Sequence, residues 1–136
     1  MNQVILASHS KMAEGIAQTV KFFCGEGICI ETIEQTISDS DFPGRARALL
    51  ERNKDKNCIV FTDLLGGSVN QVFMNLLQDY NFKLVSGMNL PIILECVLTS
   101  ETIDDTFVRN ALITAKDGLC FMNDYLKQSF ENDDED

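Results

Sequence analysis

The chain has 136 residues, 45% apolar and 24% charged, with 11 basic residues, 21 acidic residues and a net charge of −10. One domain of that length buries a core without a disulfide or metal staple. The apolar fraction excludes a disordered body, and the acidic balance, with no Lys/Arg stripe and no Trp, argues against nucleic-acid binding. No apolar run approaches the roughly 20 residues that cross a bilayer, and Met1–Val4 lacks the basic region of a signal peptide. The five cysteines are odd in number and form no C-x-x-C, so a reduced, cytoplasmic protein with no metal or other cofactor is expected.

Gln3–Ala7 (QVILA) is a short apolar run of the kind buried on both faces of a parallel sheet. Met12, Ile16, Val20 and Phe23 recur at helical spacing, which predicts a helix over Lys11–Phe23, N-capped by Ser10 and stopped by Gly25 and Gly27. Ile28–Ile33 is a second strand, and Pro43 opens a helix to about Arg52. Cys58–Thr62 is a third strand that runs into Asp63-Leu64-Leu65-Gly66-Gly67-Ser68. The helix after it aligns Val69, Val72, Phe73, Leu76 and Leu77 on one face. Phe82–Ser86 is the fourth strand, Gly87–Pro91 a break, and helices follow to about Leu98 and over Thr102–Lys116. Leu119–Met122 reads as a short fifth strand, and the pattern dissolves after Tyr125. Residues 1–127 therefore form the domain. Residues 128–136 are expected to be a disordered acidic tail, since the last six hold five acids.

Strands that alternate with helices imply an α/β fold: a single doubly wound domain with a mostly parallel sheet. For a short chain the expected strand order is 2-1-3-4. In that order strands 1 and 3 are neighbours whose helices leave to opposite faces, and a crevice opens at their carboxyl ends. Ser8-His9-Ser10 and Asp63–Ser68 meet there. A carboxylate from Asp63 on one ring nitrogen of His9, the only histidine, fixes the tautomer and leaves the other nitrogen as a nucleophile or base. Gly66 and Gly67 let the backbone approach a ligand, and Ser68 opens a helix whose N–H groups suit an anion. Ser8 and Ser10 are helix caps first and phosphate ligands second. Neither G-x-x-x-x-G-K-[ST] nor G-x-G-x-x-G occurs, so the implied anion is not a nucleotide. One imidazole facing one small-anion cradle suggests a phosphoryl group that moves on and off His9.

From Val4 to about Met122 the chain resembles the enzyme IIA domain of the mannose-family sugar phosphotransferase system. The resemblance rests on V-I-L-A-S-H-S at Val4–Ser10, A-E-G at Ala13–Gly15, F-T-D-L-L-G-G-S at Phe61–Ser68 and G-M-N-L-P at Gly87–Pro91. It implies that His9 accepts a phosphoryl group from the phosphocarrier HPr and passes it to a separate IIB subunit, which phosphorylates a sugar entering through membrane subunits IIC and IID. Asp63 matches the family's partner carboxylate and Ser68 its phosphate-side hydroxyl, with Gly67 and Ser10 beside the phosphate. The family fold further implies a homodimer in which the last short strand, here Leu119–Met122, is exchanged and pairs antiparallel with the other subunit's sheet. One departure stands out: Val69 replaces the family proline after G-G-S, and Asn70-Gln71 stands where an aromatic or small residue and then Asn are usual. The phosphate loop is therefore expected to lose rigidity. The phosphotransfer subunit of a dihydroxyacetone kinase system shares the S-H-S start, but its loop resembles D-x-G-S-A. A receiver domain would need an acidic pair after strand 1, where Ser8-His9 stands. A non-catalytic anion-binding module is the third alternative.

Overall fold

The structure is a computed structural model that describes residues 1–135, with side chains as far as Glu131. In chain order it comprises β1 (Asn2–His9), α1 (Met12–Cys24), β2 (Ile30–Gln35), α2 (Phe42–Arg52), β3 (Asn57–Thr62), α3 (Ser68–Leu76), β4 (Lys83–Ser86), α4 (Leu90–Leu98), α5 (Asp105–Lys116) and α6 (Met122–Glu135). The sheet order is β2-β1-β3-β4, and every neighbouring pair is parallel. This is the single α/β domain and the strand order that the sequence predicts.

The period of two along a strand divides the core into two layers. Val4 and Leu6 of β1, with Ile59 and Phe61 of β3, pack under α1, α4 and α5 through Ala13, Val20, Ile93, Cys96 and Ala111. Ile5 and Ala7, with Cys58 and Val60, pack under α2 and α3 through Phe42, Leu49, Val69 and Phe73. In that second layer Phe73 meets both Phe42 and Phe82 edge-on, with centroids 6.3 Å apart in each pair, a geometry that adds to the area term. Helix starts are set by short acceptors. Asp41 takes the Gly44 N–H, Asn89 the Ile92 N–H and Asp104 the Phe107 N–H, each worth about 1 kcal/mol.

Two sequence expectations are corrected. Strand β2 runs two residues beyond Ile33, because Glu34 and Gln35 continue the backbone register opposite Ser8 and His9 although their side chains are polar. Ser10 does not cap α1. It adopts a left-handed backbone with φ 54°, and the first turn is instead satisfied by Ser8 Oγ, which accepts the Ala13 N–H at 2.8 Å, and by Glu34, which accepts the Glu14 N–H at 3.1 Å. Among the described residues Leu119–Met122 pairs with no strand of its own chain. Leu119 and Phe121 lie exposed after α5, and Met122 opens α6. Met122, Leu126 and Phe130 recur every four residues, which is helical spacing, and Asp124 suits the positive end of a helix. Helix α6 runs to Glu135, and Asp136 of the expected acidic tail lies outside the described residues. Among the described residues no helix is long and apolar enough to cross a membrane.

Candidate active site

β1 and β3 end side by side, with Ala7 in register with Thr62, so the residues that follow share one edge of the sheet. Strand alternation sends Ser8 toward α1 and His9 toward the layer of α2 and α3. There the His9 ring is held at both nitrogens. Nδ1 lies 2.9 Å from Asp63 Oδ2, and Nε2 lies 2.9 Å from Ser68 Oγ. The His9 backbone N–H also donates to Asp63 Oδ2, at 2.8 Å. Burial pushes the Asp63 carboxyl up, but the His9 backbone and ring N–H groups outweigh it and hold the group below its ordinary value. Asp63 is therefore ionised at neutral pH and can only accept, so Nδ1 carries a proton and the neutral ring presents a bare lone pair at Nε2. Asp63 Oδ1 is buried and has no partner among the described residues, so the carboxylate bonds His9 entirely through Oδ2.

The loop from Asp63 to Ser68 is fixed at Gly66, whose φ of 78° suits glycine. Asn70 Oδ1 accepts the Gly66 N–H at 3.1 Å, and Gln71 Nε2 donates to the Gly66 carbonyl at 2.7 Å. Buried Asn70 also donates to Thr62 Oγ1 at 2.9 Å, which ties the loop to the end of β3. Val69 is fully buried in the α2–α3 core. The expected loss of rigidity at Val69 is thus offset by two side-chain amides on one glycine. At Gly67 a Cβ would lie 3.3 Å from His9 Cε1 and 3.3 Å from the Leu64 carbonyl oxygen, so glycine leaves room for the ring.

Of the residues singled out in the sequence, His9, Asp63, Gly67 and Ser68 converge on one point. Ser10 stands at the rim of an open groove of about 670 Å³ that also involves His9, Lys11, Glu34 and Gln35. Three further residues take up positions at the site that the sequence did not assign them. Asn70 interrupts the apolar face of α3, and a polar residue on such a face is itself a signal. Gln71 sits one position on. Gln35 accepts a hydrogen bond from Ser68 Oγ at 2.8 Å, and ending β2 at Ile33 hid its position opposite His9.

β1, β3 and α3 thus bring a strand-end imidazole, a carboxylate and a helix-start serine together at the switch point of the fold. A family model described as PTS system fructose IIA component (EIIA-man) matches residues 3–111. The chain belongs to the EIIA-man family. All the site residues from His9 to Gln71 lie within the matched span. Solved structures agree with an EIIA-man fold. A Klebsiella pneumoniae protein described as a candidate permease of a phosphoenolpyruvate-dependent sugar phosphotransferase system is 29% identical, with a TM-score of 0.81 over 92% of this chain and 93% of that one. The phosphotransferase system component EIIA of Streptococcus agalactiae is 25% identical, with a TM-score of 0.77 over 90% and 98%. The mannose/sorbose-specific IIA subunit of Enterococcus faecalis is 22% identical, with a TM-score of 0.82 over 88% and 93%, and shares the fold. No curated protein sequence matches the chain. As an EIIA-man protein the chain is a component of a sugar phosphotransferase system.

Proposed function

We propose that this chain is a cytoplasmic phosphohistidine carrier that takes a phosphoryl group from phospho-HPr onto His9 and gives it to a separate IIB subunit, coupled to sugar uptake through IIC and IID. The observation that carries the reading is His9 held between an ionised acceptor at Nδ1 and a hydroxyl at Nε2. In the step, the Nε2 lone pair attacks phosphorus, the N–P bond of the donor histidine breaks, and its electron pair returns to the donor ring. The positive charge that grows on His9 is shared with Asp63 through Nδ1–H. Ser68 and the N–H groups at the start of α3 steady the equatorial oxygens, which is most of what phosphoryl transfer asks of a protein. Leu64 and Leu65, 61% and 80% exposed beside the site, give it an apolar rim suited to protein donors and acceptors rather than to a free small substrate. The same reading makes the chain a homodimer through exchange of Leu119–Met122, supported by the exposed apolar side chains of that segment.

The test is labelling by phospho-HPr. His9→Ala should take no label, and the wild-type label should survive alkali and be lost in acid, as a phosphoramidate does. Label that is lost in alkali, or that persists in His9→Ala, would place the phosphoryl group elsewhere.

A further inference from the structure

Gln35 ends β2 in register with His9, which ends β1. Ser68 links their side chains, with Oγ 2.9 Å from His9 Nε2 and 2.8 Å from Gln35 Oε1. A hydroxyl has one proton to donate. With the Gln35 amide oxygen toward Ser68, that proton goes to Oε1, the Ser68 oxygen accepts from the ring, and Nε2 must carry a proton. Nδ1 already donates to ionised Asp63, so this arrangement belongs to the imidazolium. The neutral ring requires the reverse. Nε2 then accepts, Ser68 donates to it, and Gln35 must present Nε2–H to Ser68. A carboxamide carries a donor end and an acceptor end, exchanged by one turn about its last bond. Among the described residues the Gln35 side chain bonds to Ser68 alone, so the turn breaks no other contact.

We propose that Gln35 is a positioning residue whose amide turns with the state of His9 and so directs the Ser68 proton. The proton points to Gln35 when the ring is imidazolium. It points to Nε2 when the ring is neutral, and to the phosphoryl oxygen when the ring is phosphorylated. In the last two states the Gln35 N–H polarises Ser68 and strengthens its outgoing hydrogen bond. The role in transfer rests on His9 being the phosphoryl acceptor, whereas the coupling of Gln35 to ring protonation does not. The charged side chain on the ring is Asp63 after β3; Lys11 and Glu34 line the groove beside it, and Glu34 is turned toward the start of α1. The start of α3 carries no charged side chain.

The experiment is a ring-¹⁵N NMR titration of the single histidine in wild type, Gln35→Glu, Ser68→Ala and the double variant, with amide spectra confirming the fold. Glutamate only accepts, so it draws the Ser68 proton away from Nε2 and raises the His9 midpoint. Its charge also raises the midpoint through space, and that part survives without Ser68. The proposal expects the rise to be smaller by roughly half a pH unit in the Ser68→Ala background. An equal rise in both backgrounds overturns it. In labelling by phospho-HPr, Gln35→Leu should slow the rate about two- to tenfold and add nothing once Ser68 is Ala, whereas independent, additive losses would mean that Gln35 does not act through Ser68. Absence of label on every variant and on wild type would remove the carrier reading while leaving the titration result intact.

Discussion

Asp63→Asn keeps the shape of the carboxylate but replaces its acceptor charge with an amide that can turn either end to His9. The Nδ1 proton is then no longer fixed, and the charge that develops on the ring loses its counterpart. A charge-assisted hydrogen bond is worth about 1.5–3 kcal/mol, so the initial rate of labelling by phospho-HPr should fall roughly 10- to 100-fold. The same substitution has a signature in acid. The folded Asp63 carboxyl lies below its ordinary value of 3.8, so it contributes stability at neutral pH that is lost as pH falls through 3.8 toward the folded value. Urea unfolding of wild type and Asp63→Asn should therefore differ at pH 7, with the difference shrinking below pH 4. Thiols offer a separate check on burial. Desolvation pushes Cys96 up to about 12 and raises Cys58 as well, whereas Cys29 and Cys120 are exposed. A thiol reagent at neutral pH, read by mass spectrometry, should modify Cys29 and Cys120 in the folded protein, and Cys58 and Cys96 only after denaturation.

At the scale of elements, α3 holds the loop as much as the loop starts α3. Asn70→Ala strips a buried partner from the Gly66 N–H and from Thr62 Oγ1. It should cost about 1–3 kcal/mol in urea unfolding and slow labelling by loosening the approach of Ser68 to His9. An unchanged unfolding midpoint would mean that the loop holds its shape without Asn70. The strands were legible because a strand covered on both faces must be apolar throughout, as Val4–Ala7 and Cys58–Phe61 are. That pattern implied a parallel sheet, the order common to short doubly wound chains put strands 1 and 3 side by side, and that order brought His9 and Asp63 together. Legibility failed where pairing is carried by the backbone alone. Glu34 and Gln35 have no hydrophobic reason to be in a strand, and only the parallel register with Ser8 and His9 puts them there. It failed again at Leu119–Met122, where four apolar residues suit a strand or the entry to a helix equally well. The four-residue spacing from Met122 to Phe130 opens α6 at Met122, while Leu119–Phe121 lie in neither α5 nor α6.

At the scale of the whole molecule, the C-terminal segment carries apolar side chains that the single chain leaves in water. Leu119 is 90% exposed, Phe121 65% and Phe130 70%. If this surface is the contact of a homodimer, ending the chain after Lys116 should convert the dimer to monomer in sedimentation velocity and lower the thermal midpoint, while the core layers stay intact. A truncated chain that sediments as the same dimer would move the contact elsewhere. A different consequence follows from the two core layers. β1 is clamped by both, but α3 is seated in only one, through Val69, Phe73 and Leu76. The 2.9 Å span from His9 to Ser68 therefore joins an element held by two layers to one held by a single layer. A methylene gained or lost beneath α3, far from solvent, would change the alignment of Ser68 with His9, so under the proposed transfer the packing of that layer bears on rate as well as on stability.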